Sequence, residues 1–455
     1  MVSAMNELQE ASSAGSVHRR NYDAKCISLR QAAELVHSGD RLFVSGNAAS
    51  PKDFLTTLAE RAPELNDVAV YHLLLLGKDP FAVPGNSRER IRHVSFFVGS
   101  ADREAVKDHS ADYIPVFLNE IPSLFTKNII PLDVVYVMVS APNDEGYVSL
   151  GVECAASVAA VATGKVVIAQ VNKNMPFTYG ETLVPLSKIH YIVEHAEPLC
   201  TLTPPPIDAI ERRIAEYISP LIEDGSTLQF GIGGIPNAIM GALDGRKDLG
   251  VHTEMFSDGM MQLIKKGIIT NRRKTVNPGT SIATFVLGTP ELYAFVHENR
   301  SIRLLPTDAT NNPFLIGQNE RIVSINSAIE IDITGQVCAD SIGPRIYSGF
   351  GGQLDFVRGA AASKNGKAII ALPSMAAGGA MSRIVPMLKQ GAGVVTTRGD
   401  VEYVVTEYGV ALLKGRTLRQ RAEALIAIAH PSVREELDRW FTASYHSSKG
   451  TNGSH

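Results

Sequence analysis

The chain has 455 residues, of which 45% are hydrophobic and 20% are charged. This composition excludes global disorder, and the length is enough for two or three domains. Lysine and arginine number 43 and aspartate and glutamate number 47, so the formal net charge is −4. A nearly neutral chain has no bulk electrostatic attraction to nucleic acid or anionic lipid. We therefore expect neither nucleic acid nor a membrane as a partner.

Cysteine usage and the first residues bear on the cellular compartment. The four cysteines stand far apart and form no CxxC pair; they are Cys26, Cys154, Cys200 and Cys338. This pattern fits a reducing cytosol better than a disulfide scaffold or a zinc ribbon. The polar segment Met1–Ser16 lacks the apolar core of a secretory signal, and the longest apolar runs reach only strand length. We expect a cytoplasmic protein.

Strand-like and helix-like patterns alternate along the chain. The predicted strands are continuous apolar runs: Arg41–Ser45, Val68–Leu76, Val134–Val139 and Lys165–Val171. Helices are predicted from Pro51 to about Arg61 and in the alanine-rich segment around Cys154–Ala162. Apolar strands separated by helices indicate a mostly parallel sheet that is covered on both faces. The fold class is therefore α/β.

A proline run predicts a domain boundary. Three consecutive prolines end Thr201–Pro206, and they cannot continue a helix. A helix is predicted to follow at about Ile207–Ile222. We place the boundary near Pro204, which gives domains 1–203 and 204–443. The polar segment 444–455 is expected to be a disordered tail.

A faint internal repeat crosses this boundary. Leu42–Leu58 resembles Leu228–Leu243, because each contains a strand, a glycine and, five residues later, a proline that opens a helix. Chance is the alternative explanation for so short a match. If the repeat is real, it implies two similar open α/β domains with a ligand-binding cleft between them.

The segment Gln229–Asn237, QFGIGGIPN, places three glycines between a strand and a helix. Glycines let backbone N–H groups approach a ligand closely, and a helix N-terminus favours negative charge. The pattern is neither GxGxxG nor a Walker A loop. A simple tight turn from strand to helix is an equally good interpretation.

A single carboxylate lies in the predicted short strand Val251–Phe256. This residue is Glu254, and a glutamate near the carboxyl end of a sheet is costly unless it is paired or used. The alternative is a strand residue that faces solvent. Two neighbours have weaker claims: His252 is better explained as a packed histidine and Asp258 as a helix cap.

A second glycine-rich loop lies in Tyr347–Ala360, YSGFGGQLDFVRGA. Gly349, Gly351 and Gly352 are able to present amides to an oxyanion. A flexible connector is the alternative interpretation. The sequence does not show that this loop and the first one meet.

Two further segments have simpler explanations. In Ser140–Gly151, turn formation explains Asp144 and Glu145 better than acid–base chemistry does. In Val404–Arg421, Glu407 follows a strand and precedes basic residues that either meet phosphates or form a solvated helix face. Neither a GxSxG elbow nor an HExxH or paired Cys/His metal spacing occurs.

Taken together, four ordered motifs resemble the acetyl-CoA hydrolase/transferase family, and within it the 4-hydroxybutyrate and butyrate:acetate CoA-transferases. The motifs are GIGGIPNAI (Gly231–Ile239), HTEMFSDG (His252–Gly259), GFGGQLDFVRGA (Gly349–Ala360) and VTEYGVA with IAHP (Val405–Ala411 and Ile428–Pro431). The resemblance runs from about Arg41 to Phe441. It implies two related open α/β domains of the CoA-transferase type with the active site in the cleft between them, and a homodimer or a dimer of dimers.

The resemblance also assigns roles to residues. It makes Glu254 the catalytic nucleophile. It places CoA against the first loop, which consists of Gly231, Ile232, Gly233, Gly234 and Ile235. It assigns oxyanion and CoA contacts to Gly349, Gly351 and especially Gly352. By looser similarity it gives Asn311 a contact with the acyl or carboxylate group, although the alignment does not separate Asn311 from Asn312.

The implied reaction moves CoA from a short-chain acyl-CoA to a carboxylic acid such as acetate through a glutamyl-CoA thioester. A carboxylate with a pKa near 4.3 needs no general base at neutral pH, and the route needs no metal and no cofactor beyond CoA as co-substrate. Three alternatives remain: an acyl-CoA hydrolase on the same scaffold, a sugar-phosphate isomerase of similar topology, and a non-catalytic CoA-binding module.

Overall fold

The computed structural model describes residues 21–203 and 206–446. Backbone contacts divide the chain into two compact units. The first consists of Met1–Thr203, Met255–Asp258 and Thr280–Thr310; the second consists of Pro204–Glu254, Gly259–Gly279 and Asn311–His455. One division thus falls in the proline run where the sequence predicts a boundary. Residues 255–258 and 280–310 lie in the first unit, although the sequence prediction placed them in the C-terminal domain.

A seven-stranded sheet forms the centre of the first unit. Its strands are β1 (Arg41–Val44), β2 (Val68–His72), β3 (Ile91–Ser95), β4 (Asp112–Tyr113), β5 (Val134–Val139), β6 (Val166–Val171) and β7 (Tyr191–Glu194). Their order is β7-β6-β5-β1-β2-β3-β4, and every neighbouring pair is parallel. Both parallel pairing and almost continuous burial of β1 and β5 agree with the predicted α/β class. The predicted strand Val68–Leu76 is too long, because Leu74 adopts a φ of +34° and ends the extended backbone.

The helices described in the first unit are Leu29–Glu34, Lys52–Glu60, Arg103–Lys107, Ile121–Thr126, Ser157–Thr163, Pro290–Val296 and Thr307–Thr310. The first two contribute apolar side chains to the core that lies on this sheet. Helix Lys52–Glu60 follows Pro51 as predicted, and Phe54 on its buried face stacks on Tyr136 of β5 with ring centroids 3.6 Å apart. The predicted alanine-rich helix is found as Ser157–Thr163.

A six-stranded sheet forms the centre of the second unit. Its strands are β8 (Thr227–Phe230), β9 (Gly250–Val251), β10 (Ile322–Ser327), β11 (Lys367–Ala371), β12 (Tyr403–Thr406) and β13 (Gly409–Leu412). Their order is β9-β8-β10-β11-β12-β13, and only the terminal β12–β13 pair is antiparallel. The core on this sheet includes Ile316, Ile370, Phe356, Leu425 and Leu437.

The helices of the second unit begin with Ala209–Ile218, which starts at a capping box formed by Asp208 and Glu211. The others are Gly234–Gly241, Asp258–Lys265 (from Gly259 onward), Pro313–Gly317, Gln353–Ala362, Leu418–Ile428 and Arg434–His446. The last helix includes 444–446, which the sequence analysis assigned to the tail; 447–455 lie outside the described residues. Within the described part of the chain, no helix is both long and apolar enough to cross a membrane.

Both sheets contain a point at which the strand order reverses. In the first sheet β1 lies between β2 and β5, and in the second sheet β8 lies between β9 and β10. Gly46 follows β1, and Gly231 follows β8. The two segments that resemble each other in sequence thus take equivalent places in two similar sheets. In open α/β sheets, ligands bind at the carboxyl ends of the strands at such a reversal.

Candidate active site

Glu254 lies in a bend between the two-residue strands Gly250–Val251 and Met255–Phe256. The prediction of one strand over Val251–Phe256 is therefore wrong. His252 N still donates to Leu228 O at 3.1 Å, but at the next position the Thr253 hydroxyl, and not a backbone amide, reaches Phe230 O at 3.3 Å. The ladder with β8 ends there, and the chain turns just beyond the carboxyl edge of the sheet.

Two donors hold the carboxylate of Glu254. Asn311 Nδ2 donates to Glu254 Oε1 at 2.9 Å, and the backbone of Gly352 supplies a second hydrogen bond. The residue as a whole is half-buried. Burial raises the pKa of Glu254 to about 7, although Asn311 and Gly352 favour the ionised form. The sequence indicates a carboxylate of ordinary pKa. With the raised pKa, Glu254 is protonated in about half of the molecules near pH 7.

The structure distinguishes Asn311 from its neighbour Asn312. The Asn312 side chain accepts from Phe314 N and Leu315 N, and it caps helix Pro313–Gly317. Asn311 is fully buried and points its amide at Glu254, while its Oδ1 has no hydrogen-bond partner among the described residues. Of the two asparagines, only Asn311 contacts the carboxylate.

Gly352 lies where a side chain does not fit. It precedes helix Gln353–Ala362, which is anchored to the end of β10 because Gln353 Nε2 donates to Ser327 O at 2.6 Å. A Cβ atom on Gly352 would overlap Asn311 Nδ2 and Glu254 Oε1. Gly351 has a φ of +56°, which favours glycine, and Gly349 is buried. No contact of Gly349 or Gly351 with Glu254 is found in the described part of the chain.

The GIGGIP loop lies at the same edge of the second sheet. Gly231 N donates to Ile325 O at 3.2 Å, so the loop starts between β8 and β10. Gly233 has a φ of +132° and precedes helix Gly234–Gly241, as expected of a strand-to-helix turn. Of the two isoleucines that flank this turn, Ile235 is buried and Ile232 is 45% exposed. Since β8 and β9 are parallel neighbours, the loop and Glu254 both follow the carboxyl ends of adjacent strands.

Two buried polar side chains that the sequence analysis missed hold the strand in front of Glu254. Asn271 Oδ1 accepts from Val251 N at 2.9 Å, and Lys274 Nζ donates to Val251 O at 2.8 Å. Burial lowers the pKa of Lys274 to about 7. Lys274 ends a basic run that is typical of a solvated surface, so no local signal marks it as buried.

The remaining candidates have structural partners. His252 is buried between Phe356 and Asn319, whose Nδ2 lies 3.3 Å from His252 Nδ1. The Asp258 carboxylate accepts from Thr289. The Glu407 carboxylate accepts from the backbone and hydroxyl groups of Ser374. His252 is thus packed, as predicted, whereas Asp258 and Glu407 accept from distant segments, contacts that the sequence did not predict.

The sequence and the fold match known families and proteins over most of the chain. The profile of the acetyl-CoA hydrolase/transferase N-terminal domain matches residues 7–204, and that of the C-terminal domain matches residues 288–441. A solved structure of a 4-hydroxybutyrate CoA-transferase from Porphyromonas gingivalis superposes with a TM-score of 0.81 at 41% identity, and the alignment covers 94% of this chain and 100% of that one.

Curated relatives cover almost the whole chain. The 4-hydroxybutyrate coenzyme A transferase of Clostridium kluyveri is 46% identical over 91% of this chain and 97% of its own length. The succinyl-CoA:cyclohexane-1-carboxylate CoA transferase of Geobacter metallireducens is 43% identical over 94% of this chain and 98% of its own. An acetyl-CoA hydrolase of Candida albicans is more distant, at 25% identity over 93% of this chain and 90% of its own. On these matches, and with Glu254 in the bend of the HTEMFSDG motif, the chain belongs to the acetyl-CoA hydrolase/transferase family.

Proposed function

We propose that the protein is an acyl-CoA:carboxylate CoA-transferase with Glu254 as its nucleophile. The observation that carries the proposal is the carboxylate of Glu254, which is held between Asn311 Nδ2 and the Gly352 backbone at the carboxyl edge of the second sheet. The substrates are a short-chain acyl-CoA and a small carboxylic acid such as acetate, butyrate or 4-hydroxybutyrate. Transferase activity agrees with the names of the relatives at 43–46% identity. 4-Hydroxybutyrate appears in the name of the relative at 46% and butyrate in those at 37% and 34%, whereas the relative at 43% is named for succinyl-CoA and cyclohexane-1-carboxylate.

The first half-reaction begins with the ionised form of Glu254. One carboxylate oxygen attacks the thioester carbonyl carbon, a C–O bond forms, and the C–S bond breaks to release CoA thiolate. The product is a mixed acyl–glutamyl anhydride. The thiolate then attacks the glutamyl carbonyl, the anhydride C–O bond breaks, and the donor acid leaves as its carboxylate. The enzyme now carries a glutamyl-CoA thioester.

In the second half-reaction an acceptor carboxylate attacks the glutamyl thioester and runs the same steps backwards. Its own CoA ester departs, and Glu254 returns to the carboxylate form. The thioester bond energy is kept throughout, and each proton-free step balances without a metal or redox group. The kinetics expected of such a route are ping-pong.

Asn311 and Gly352 are suited to stabilise charge on the glutamyl carbonyl. When thiolate or carboxylate attacks that carbonyl, negative charge develops on its oxygen; Asn311 already donates to Oε1, and the Gly352 backbone hydrogen-bonds the same carboxylate. An oxyanion donor of this kind contributes about 2.7–4 kcal/mol to the transition state. Both residues then act on the reacting atoms themselves, which gives the catalytic set Glu254, Asn311 and Gly352.

We place CoA against the GIGGIP loop. No atom lies within 4 Å of the position that a Cβ on Gly233 would occupy, so the backbone is open to a ligand on that side. The loop also precedes the N-terminus of a helix, where backbone amides favour the phosphates of CoA. We extend the proposal to Gly349 and Gly351 as CoA contacts, to a homodimer or dimer of dimers, to a cytoplasmic location and to a role in short-chain fatty acid metabolism.

Acyl-CoA hydrolysis by the same residues is the second candidate, and the hydrolase relative at 25% identity supports it less than the transferases do. The two activities differ in the acceptor. With butyryl-CoA and acetate, a transferase forms acetyl-CoA at the rate at which butyryl-CoA disappears, and free thiol stays constant. Thiol release that equals butyryl-CoA loss, with no acetyl-CoA formed, would identify a hydrolase. Binding of butyryl-CoA with neither product would identify a non-catalytic CoA-binding module.

A further inference from the structure

Three buried side chains of the first unit converge away from Glu254. His72 is the last residue of β2, His93 lies within β3, and Asp102 directly precedes helix Arg103–Lys107. Their exposed fractions are 0%, 2% and 0%. β2 and β3 are parallel neighbours, and the chain after β3 brings Asp102 back over the ends of both strands.

The distances among the three side chains suit a metal ion. His72 Nε2 lies 3.3 Å from His93 Nδ1 and 4.0 Å from Asp102 Oδ2. One ligand atom from each residue lies within 4.8 Å of the others. Two nitrogens bound to zinc at roughly 2.0–2.1 Å in a tetrahedron are about 3.3–3.4 Å apart, so the two imidazoles already have this spacing.

A second carboxylate lies behind one of the histidines. Asp79 Oδ2 is 3.7 Å from His93 Nε2, which is beyond hydrogen-bond distance, and Asp79 Oδ1 is fixed by the Phe81 amide at 2.8 Å. A carboxylate that accepts from the far nitrogen of a histidine is the usual support of a metal ligand, so Asp79 would approach His93 Nε2 when a metal binds.

The charge of the cluster is not balanced by protein groups. Asp102 Oδ1 accepts from Gly99 N at 2.6 Å, but Oδ2 has no hydrogen-bond partner of ordinary geometry among the described residues. A divalent cation would supply the positive charge that a buried carboxylate requires, and two neutral imidazoles would complete the ligand set.

We propose that His72 Nε2, His93 Nδ1 and Asp102 Oδ2 bind one divalent transition-metal ion of the zinc class, which joins the end of β2 and the middle of β3 to the segment before helix Arg103–Lys107. The fourth ligand is water, as in zinc sites that have three protein ligands. A cavity of about 560 Å³ borders Asp79, Phe81 and His93, and neither His72 nor Asp102 is among its lining residues. The site is independent of the proposed function because no step of the reaction uses it.

A hydrogen bond between the two histidines is the simpler explanation of their contact. It would account for the 3.3 Å distance between His72 Nε2 and His93 Nδ1. It would leave Asp102 Oδ2 buried and without a partner, which costs free energy that coordination recovers. The metal therefore explains three side chains where the hydrogen bond explains two.

The test is titration of the full-length protein, first dialysed against a chelator, with Zn²⁺ alone in a calorimeter. We expect one ion per chain, and we expect His93→Phe and Asp102→Asn each to weaken binding by about 100-fold or more, since even an outer-shell partner is worth 10–100-fold. The control is His195→Gln, which removes a histidine from the other His/carboxylate cluster, Asp53–His195–Glu197, and should leave the affinity unchanged.

Co²⁺ provides a readout that does not depend on the variants folding. Bound to the wild-type protein, it should show the intense visible absorption of a tetrahedral ion, and stoichiometric Zn²⁺ should abolish that absorption. The proposal is overturned if the wild type binds no Zn²⁺ saturably, if His195→Gln alone abolishes binding, or if Co²⁺ shows only the weak bands of an octahedral ion. Retention of wild-type affinity in folded His93→Phe and Asp102→Asn would overturn it as well.

Discussion

Asn311 donates from Nδ2 to Glu254 Oε1 at 2.9 Å, while its own Oδ1 is buried without a hydrogen-bond partner among the described residues. The side chain is therefore fixed by what it gives to Glu254 rather than by what it accepts. A donor that is positioned before the reaction needs no reorganisation when charge develops on the same oxygen.

Glu254→Gln should abolish transferase activity without unfolding the protein. The amide is nearly isosteric with the carboxylate but is not an anionic nucleophile, so we expect a loss of about 10³-fold or more in kcat. Acetate-dependent CoA exchange measures it. Glu223→Gln is the matched control, because Glu223 is paired with Lys367 at 2.8 Å on the surface and should keep full activity. Activity within tenfold of wild type in Glu254→Gln would remove Glu254 from the mechanism.

Activity should rise with pH across neutrality. The pKa of Glu254 is raised to about 7 by burial, and only the ionised form attacks, so kcat/KM should increase tenfold per pH unit below about 7 and level off above it. Asn311→Ala removes a bond that lowers this pKa. In that variant the midpoint should move to higher pH, in addition to a lower plateau. A flat profile from pH 5.5 to 8.5 in the wild type would contradict the raised pKa.

Gly352→Ala should lose activity because the site has no room for a methyl group. The new Cβ would overlap both Asn311 Nδ2 and Glu254 Oε1, so it must displace the donor, the nucleophile or both. We expect a fall in kcat of about 10²-fold or more, on the scale of a lost oxyanion donor. Gly241→Ala is the control, since no atom lies within 4 Å of its added Cβ and the backbone is helical. Equal activity of the two variants would exclude a role for the space at Gly352.

The raised pKa also predicts how stability depends on pH. A carboxyl group whose pKa rises from 4.5 to about 7 on folding stabilises the protein below pH 4.5, and this contribution is lost as pH rises through 7. Glu254→Gln carries no such charge. The variant should therefore melt at an increasingly higher temperature than the wild type as pH rises from 4.5 to above 7. The full change in the difference of their unfolding free energies is at most about 3.4 kcal/mol.

The pH dependence must be measured as the difference between Glu254→Gln and the wild type, because the pKa of Glu153 is raised on folding in the same way as that of Glu254. It is 2% exposed, and burial raises its pKa to about 7 as well. Glu153 is present in both the variant and the wild type, so its contribution cancels. A difference that is constant between pH 4 and 8 would show that Glu254 has an ordinary pKa in the folded protein.

Local patterns in the sequence predict the strands and the motif residues but not the distances between them. Continuous apolar runs predict β1 and β5, and the proline and apolar spacing predict the helix after Pro51. All three are found within a residue or two of the predicted bounds. The motifs also point to Glu254 and Gly352 as candidate site residues, and the structure places them in hydrogen-bond contact. The sequence did not separate Asn311 from Asn312, because that choice depends on which amide faces a carboxylate 57 residues away.

The other differences between prediction and structure arise from contacts between segments that are distant in the sequence. The sequence assigns Glu254 to a strand, since it cannot show that the ladder with β8 ends after His252. It also gives Glu254 an ordinary pKa, because the shift depends on neighbours from distant segments. His72 and His93 were not singled out, because they are 21 residues apart in sequence and meet only when β2 pairs with β3.

We propose that Glu254 is linked to CoA for part of each turnover. Intact-protein mass spectrometry after mixing with acetyl-CoA detects this covalent species. We predict an added mass of CoA minus one water, located at Glu254 by peptide mapping, absent in Glu254→Gln, and discharged to acetyl-CoA when acetate is added. An active enzyme that shows no such adduct under single-turnover conditions, or an adduct on another residue that acetate discharges, would contradict the account.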